Sequence, residues 1–284
     1  MLELGVFQTL IIVKKEEFGV YLAESIESGR TAESRVLLPK KQVPEGSAIG
    51  DSLRVFLYRD SSDRMIATVN RPKILLHEVA RLKVKMVTKI GAFLDWGLEK
   101  DLLLPFHEQM RHVYQGDEVL AALYLDKSGR LCATMRIYPY LKKQSPYQVG
   151  DEVSGTIYQN AENFGVFVAV DDIYSGMIPR REAQAKYEIG TTMKFRVTGV
   201  KEDGKLDLSA REKSYLQIDA DAEQILNVIQ EQFSGELPFD DKADPQVIRE
   251  TFGLSKAAFK RAVGHLYKER RIVLAPGIIR VTDN

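Results

Sequence analysis

The chain has 284 residues, 44% of them hydrophobic and 28% charged, and is therefore long enough to bury more than one core. Its 40 Lys and Arg residues equal its 40 Asp and Glu residues, so net charge indicates no nucleic-acid partner and any basic surface must be local. The single Cys132 excludes an intramolecular disulfide. Because no run of about 18 apolar residues and no signal-type N-terminal segment occurs, we expect a cytoplasmic protein without a membrane partner.

One pattern occurs three times, with a period slightly above 70 residues. Each copy has an aromatic or apolar segment around a glycine, at 18–22, 91–94 and 164–168, then an apolar-proline pair and a second glycine. The prolines and second glycines are Pro39 and Gly50, Pro105 and Gly116, and Pro179 and Gly190, each pair being 11 residues apart. A polar insertion at 24–35 lengthens the first copy. Such a fixed period predicts three copies of one small domain.

The three copies are predicted to be β structure. Short runs rich in Val, Ile, Phe and Tyr alternate with polar residues, and Asp, Ser and Gly residues at 60–64, 126–130 and 202–205 predict tight final hairpins. Five short strands with a longer third connection are typical of an OB-fold barrel. We therefore predict a mainly β protein with barrels at 1–70, 71–139 and 146–213.

The third copy, 150–213, resembles the RNA-binding domain first described in ribosomal protein S1. The resemblance is carried by Gly-Asp-Glu-Val at 150–153, Phe-Gly-Val-Phe-Val at 164–168, Gly-Met-Ile-Pro at 176–179 and Gly-Lys-Leu-Asp-Leu-Ser at 204–209. The second copy matches this pattern less well, and the first diverges most. The resemblance implies binding of RNA on one face of the barrel.

By position, the resemblance implies a set of RNA-binding residues in each copy. They are Phe18, Tyr21 and Arg64 in the first, Phe93, Asp126 and Arg130 in the second, and Phe164, Phe167, Lys201 and Lys205 in the third. An aromatic ring stacks on a base whatever its identity, worth about 1–3 kcal/mol per base, while cations attract phosphates. Strand alternation would separate Phe164 from Phe167, so a shared surface predicts a bulge at Gly165. Alternatively, one of the two rings belongs to the core.

The copies also depart from the S1 pattern. Many domains of that family have a ligand-facing His where this chain has Pro39, Pro105 and Pro179, and Ile90 stands where the second copy should have its first aromatic residue. The third copy retains the most complete set of rings and cations. We therefore expect it to bind best, with the other two assisting or acting as spacers.

The C-terminal segment, 219–284, has a different periodicity. Apolar residues recur at helical spacing over 220–232. Asp244 and Pro245 are a typical N-cap and first residue of a second helix ending at 252, and Ser255 can cap a third helix over 256–268. Two strands joined by a Pro-Gly turn follow at 271–281. Three helices and a hairpin predict an α+β winged helix-turn-helix domain.

Basic residues are concentrated at the end of this domain. Residues 253–284 contain seven bases and two acids. We predict that the third helix and wing gather a basic face from Lys256, Lys260, Arg261, Arg270, Arg271 and Arg280, with Lys268 nearby. Such a face suits contact with duplex DNA or structured RNA. The alternative is a module that docks on a protein or packs against the third barrel.

The order of three barrels and a winged helix resembles the conserved virulence factor B (CvfB-like) family of bacterial RNA-binding regulators. The resemblance implies a bacterial cytoplasmic protein that binds RNA and influences gene expression after transcription. We also expect a monomer. From the residues alone we infer only single-stranded nucleic-acid binding, because stacking does not distinguish RNA from DNA. An adaptor for ribosome or RNA polymerase components and a DNA-binding transcription regulator remain alternatives.

Catalysis is not expected. The four histidines are scattered, and the sequence contains no metalloprotease, CxxC or phosphate-loop motif. We therefore predict no catalytic residues, no metal site and no cofactor.

Overall fold

A computed structural model describes residues 2–183, 187–210 and 214–282. The chain forms two compact units, 1–210 and 211–284. The last three residues of the predicted third barrel, 211–213, and the last two of the winged-helix segment, 283–284, lie outside the described residues. Within the described part, no helix is long and apolar enough to cross a membrane.

The first unit contains three five-stranded modules of the predicted OB type. The first has β1 (Phe7–Glu16), β2 (Gly19–Ala23), β3 (Val36–Pro39), β4 (Ser52–Arg59) and β5 (Met65–Thr68). The second has β6 (Val79–Thr88), β7 (Gly91–Asp95), β8 (Leu102–Pro105), β9 (Glu118–Leu125) and β10 (Leu131–Thr134). The third has β11 (Glu152–Ala161), β12 (Gly165–Val170), β13 (Tyr174–Pro179), β14 (Thr192–Val200) and β15 (Leu206–Ser209). The mainly β fold class is therefore confirmed.

The modules share one strand order but differ in closure. In the first and third, a parallel ladder joins the third strand to the fifth and closes the barrel, as in the pairing of Gly176 with Leu206. In the second, whose strands are all described, the hydrogen-bonded order runs β10-β9-β6-β7-β8 and leaves β8 and β10 as edges. The second barrel is thus a five-stranded sheet of the same topology without the closing ladder.

The repeated glycine and proline of the sequence lie opposite each other. Gly19 pairs with Pro39, Gly91 with Pro105 and Gly165 with Pro179. At these glycines φ is +155°, +148° and +129°, and a Cβ atom would lie 2.2, 2.3 and 2.1 Å from the carbonyl oxygen preceding the proline. Only glycine allows this approach of two strands. The repeat therefore encodes the junction between the second and third strands of each barrel.

The predicted bulge at Gly165 is wrong in its position. The register shift lies on the neighbouring strand β11, between Ile157 and Gln159, with equivalent shifts on β1 and β6. The N–H of Gly190 donates to the carbonyl of Ile157 at 2.7 Å, so the second glycine of the repeat fixes the chain at this bulge. Phe164 precedes β12 and lies in the turn, which places its ring outside strand alternation.

Apolar contacts join the barrels of the first unit. Trp96 of the second barrel is buried against the rings of Phe56 and Tyr58 of the first, at centroid distances of 5.9 and 6.1 Å. Between the second and third barrels, the Arg81 guanidinium donates to Asp172 at 2.6 Å. Buried aromatic contacts therefore join the first and second barrels, and an ion pair joins the second and third.

The winged helix forms the second unit. Its elements are α1 (Ser214–Phe233), β16 (Glu236–Leu237), α2 (Pro245–Phe252), α3 (Lys256–Lys268), β17 (Ile272–Ala275) and β18 (Ile278–Val281). The caps are as predicted: the Asp244 side chain accepts from the N–H of Gln246, and the Ser255 side chain from that of Ala258. The two strands of the wing pair through the Pro-Gly turn.

Two features of the winged helix differ from the sequence prediction. The first helix begins at Ser214, six residues before the predicted 220, and includes the segment taken as a connection. No Gly or Pro interrupts residues 214–219, and extending a formed helix costs little. The sequence also missed β16, a two-residue strand that pairs with β18 and has no periodicity of its own.

We expect Gly165→Ala to destabilise the first unit by about 1–3 kcal/mol, because the new methyl group overlaps a backbone oxygen at a positive φ. Gly199→Ala in the same barrel is the matched control, since its Cβ would meet its nearest neighbour at 3.5 Å. It should change stability by less than about 0.5 kcal/mol. Urea unfolding measures both, and equal stability of the two variants contradicts this account.

Candidate nucleic-acid interface

The main candidate site is an open pocket of about 500 Å³ on the third barrel. It lies over β12, β13 and the hairpin that joins β14 to β15. All four residues predicted from the sequence of this copy line it, namely Phe164, Phe167, Lys201 and Lys205. The structure thus brings together side chains from two regions of the barrel that are about 35 residues apart in the chain.

Neither phenylalanine of the pocket belongs to the barrel core. Phe164 is 66% exposed, and its backbone N–H donates to the carbonyl of Ala161 in the turn before β12. Phe167 is half-buried, between the core residues Val166 and Val168 in sequence but on the opposite face. An exposed ring and a supported ring therefore share one wall, an arrangement suited to stacking on unpaired bases.

The two lysines lie at the ends of the final hairpin, where the N–H of Lys201 donates to the carbonyl of Lys205. The Lys201 ammonium is 3.3 Å from a carboxylate oxygen of Asp207, and that of Lys205 is 2.7 Å from Asp203. The hydrogen bond to Asp203 raises the pKa of Lys205, so this side chain is protonated throughout the neutral range. Both cations border the aromatic wall and can attract phosphate.

Among the lining residues that the sequence did not predict as binding residues are Tyr138, Gln159 and Met177. Tyr138 lies in a 3₁₀ turn, Tyr138–Tyr140, at the end of the predicted second barrel, 71–139, and so outside the predicted third barrel. Gln159 follows the bulge of β11 and pairs with Phe167, which in turn pairs with Met177 on β13. A bulge predicted on β11 instead of at Gly165 would have located Gln159. Nothing in the local sequence pattern predicts that Tyr138 lines the pocket.

In the second barrel, only part of the predicted set converges. Phe93 and Arg130 line a cavity of about 310 Å³ together with Ser61 and Asp63 from the hairpin between β4 and β5 of the first barrel. The Arg130 guanidinium is 3.5 Å from the Asp63 carboxylate. Part of the face equivalent to the main pocket is therefore covered by an acidic hairpin of the neighbouring barrel.

Asp126 has a structural role in the same barrel. Its carboxylate accepts the backbone N–H groups of Ser128 and Arg130 at 2.8 and 3.0 Å and so holds the tight turn. The buried Cys132 also lines this cavity, and burial raises the pKa of its thiol to about 11. It is therefore a neutral thiol at physiological pH.

In the first barrel, Phe18 and Tyr21 meet edge to face with ring centroids 6.2 Å apart, and Phe18 is exposed. Arg64 is engaged in its own hairpin, where the guanidinium donates to the Asp60 carboxylate at 2.8 and 3.0 Å. The backbone N–H of Asp60 donates to Arg64, as that of Asp126 does to Arg130 and that of Lys201 to Lys205. The first two hairpins thus carry an acid where the third carries a lysine.

Most of the predicted basic face of the winged helix has local partners. Arg271 pairs with Glu223, and the Arg280 guanidinium donates to Glu236 at 2.8 Å. Lys260 is 3.5 Å from Asp241, and the Lys256 ammonium donates to a backbone carbonyl. Arg261 and Arg270 are exposed and have no charged partner among the described residues. Acidic neighbours therefore compensate part of the positive charge of this face. The number of basic residues in the sequence did not indicate these pairs.

Within the described ranges, no group of three or more His, Cys, Asp or Glu side chains is close enough to hold a metal ion.

Known domain families match nearly the whole chain. An S1 domain matches residues 4–70 and 78–136, the second domain of virulence regulatory factor CvfB matches 139–212, and a CvfB-like winged helix domain matches 223–281. The S1 description therefore falls on the two barrels that we expected to be more divergent. The third barrel, expected to carry the clearest S1 resemblance, matches instead the second domain of virulence regulatory factor CvfB.

Relatives and solved structures agree with these matches. The YitL protein of Bacillus subtilis is 32% identical over 274 residues, covering 93% of this chain and 89% of the relative. Conserved virulence factor B of Staphylococcus saprophyticus is 29% identical over 243 residues, covering 83% and 81%. A crystal structure of a multidomain protein with nucleic acid binding domains from Streptococcus pneumoniae matches 98% of both chains with a TM-score of 0.51 and 23% identity, which supports the fold. With S1-type barrels and a winged helix in this order, the chain belongs to the CvfB family.

Proposed function

We propose that this protein binds single-stranded RNA on its third barrel and acts as a post-transcriptional regulator in the bacterial cytoplasm. The observation that carries the proposal is the pocket in which Phe164, Phe167, Lys201 and Lys205 meet. Aromatic rings outside the barrel core, with cations at the rim, are the combination that holds unpaired nucleic acid. The S1 and winged-helix domain types favour a nucleic-acid partner in general, and the match to the second domain of virulence regulatory factor CvfB favours a regulatory role.

The first and second barrels have a supporting role in this proposal. Their hairpins carry Asp60 and Asp126 where the third carries Lys201. A carboxylate at this position repels a phosphate, so the best electrostatic match is on the third barrel. We propose a monomer with one dominant site, no catalytic step and no cofactor.

The winged helix supports a second candidate function, docking on a protein such as a ribosome or RNA polymerase component. Four of its basic residues have local partners, while Val273 and Leu274 of the wing are exposed apolar side chains. Regulation of transcription through duplex DNA would instead use the exposed Arg261 and the remaining cations of α3. Only binding of duplex DNA, and not docking on a protein, predicts that duplex DNA competes with single strands.

Titration of the full chain with single-stranded RNA, single-stranded DNA and duplex DNA of equal length tests the function. We expect binding to single strands that weakens with salt, because phosphate contacts release counterions, and tighter binding to RNA than to DNA. Fluorescence anisotropy at two salt concentrations measures the affinities. Binding of single strands no tighter than that of a neutral control protein overturns the proposal, and a preference for duplex DNA favours the transcription-regulator alternative.

Phe167→Ala should weaken binding of single-stranded RNA by about 5- to 150-fold, the equivalent of one stacked base. Phe93→Ala is the matched change at the equivalent position of the second barrel, and we expect at most a several-fold effect there. The same anisotropy titration compares the two. A larger loss from Phe93→Ala moves the dominant site to the second barrel.

Lys205→Gln should lower the slope of log K against log salt by about 0.7, because one phosphate contact to a single strand is lost. Lys127→Gln, in the equivalent hairpin of the second barrel, provides the control and should leave the slope unchanged. Equal slopes for wild type and Lys205→Gln show that this lysine does not contact phosphate.

A further inference from the structure

The pocket of the third barrel has an aromatic residue that does not come from that barrel. Tyr138 belongs to the segment between β10 of the second barrel and β11 of the third. Its ring is 6.0 Å from that of Phe167 at an interplanar angle of 70°, and the residue is 43% exposed. It therefore lines the same pocket as Phe164 and lies beside Phe167.

The backbone on both sides of Tyr138 is anchored. Ile137 and Leu141 are buried in a cluster shared with Tyr158 and Ala169 of the third barrel. After the turn, the N–H of Lys142 donates to the carbonyl of Ile173, and its carbonyl accepts from Ser175, both at 2.8 Å. The ring is therefore held in place before any ligand arrives, which reduces the ordering cost of binding.

Tyr138 also contacts a predicted phosphate-binding residue. The ammonium of Lys205 lies 5.6 Å from the centroid of the Tyr138 ring, within the range of a cation–π interaction. A ring that stacks on a base and a cation that attracts its phosphate are thus adjacent on one wall. Phe164 and Phe167 contribute the rest of the aromatic surface.

The second barrel does not have this arrangement. There the neighbouring module contributes the hairpin with Ser61 and Asp63, and Asp63 lies beside Arg130. An acidic turn repels phosphate where Tyr138 would offer a stacking surface. The difference between the two pockets therefore arises from the preceding module as much as from the barrel.

We infer that Tyr138 is a third stacking residue, and that the unit which binds single-stranded nucleic acid is composite, made of the third barrel and the segment leading into it. An unpaired base contacts the Tyr138 ring while the adjoining phosphate lies at Lys205. This inference rests on the proposed function. It adds a residue that the S1 pattern does not contain.

The test compares full-length variants in titrations with single-stranded RNA carrying 2-aminopurine. Tyr138→Ala and Tyr138→Leu should each weaken binding by about 5- to 150-fold. Tyr138→Phe, which keeps the ring, should bind within about threefold of wild type. Tyr114→Ala is the control, because Tyr114 of the second barrel is 68% exposed and lies outside the pocket. Thermal unfolding establishes that each variant is folded. Tyr138→Leu keeps a large apolar side chain but removes the aromatic ring.

The fluorescence at saturation separates stacking from a purely structural role. A base stacked on Tyr138 is quenched, so saturated Tyr138→Leu complexes should show less quenching than wild type at one or more 2-aminopurine positions. Wild-type affinity in Tyr138→Leu, or unchanged quenching at every position, overturns the inference while Phe167→Ala still tests the proposed function. Failure of the wild-type protein to bind overturns the proposed function and this inference with it.

Discussion

Each barrel depends on the close approach of one glycine to the carbonyl oxygen before a proline on the next strand. At Gly165 a Cβ atom would lie 2.1 Å from the carbonyl oxygen of Ile178, and the equivalent distances at Gly19 and Gly91 are 2.2 and 2.3 Å. The approach determines where the second strand begins. The residue before the glycine is left in the turn, and the residue two positions after it lies on the outer face. The exposed ring of Phe164 and the half-buried ring of Phe167, both outside the barrel core, follow from this backbone constraint.

The same framework has different electrostatics in the three copies. One backbone hydrogen bond closes all three final hairpins, which makes Asp60, Asp126 and Lys201 equivalent. In the second barrel the carboxylate of Asp126 also accepts backbone N–H groups of the turn. It therefore stabilises the hairpin and also adds a negative charge to the surface. The third hairpin closes without that carboxylate, and its first position is free to carry a cation. The third copy thus has a cation at the position where the other two copies have a carboxylate.

Contacts between the barrels determine which surfaces remain open. The hairpin bearing Asp63 covers part of the second barrel, whereas the segment bearing Tyr138 adds a ring to the third. The buried contact of Trp96 with Phe56 and Tyr58 holds the first pair together, and Arg81 with Asp172 links the second pair. In the second unit, Arg271 and Arg280 pair with glutamates from α1 and β16, which moderates the basic face of the winged helix.

The sequence by itself determined the number and type of modules, the caps of α2 and α3, and the four residues that meet in the third pocket. These features are local or repeated, because hairpin turns, helix caps and the glycine–proline junction depend on residues close in the chain or on the common strand order. Only the tertiary structure decided the position of the bulge on β11, the contribution of Tyr138 to the pocket, and the pairing of Arg130 with Asp63 and of Arg271 with Glu223. Each of these depends on contacts between residues far apart in sequence, and the packing that creates them leaves no periodic pattern in the chain.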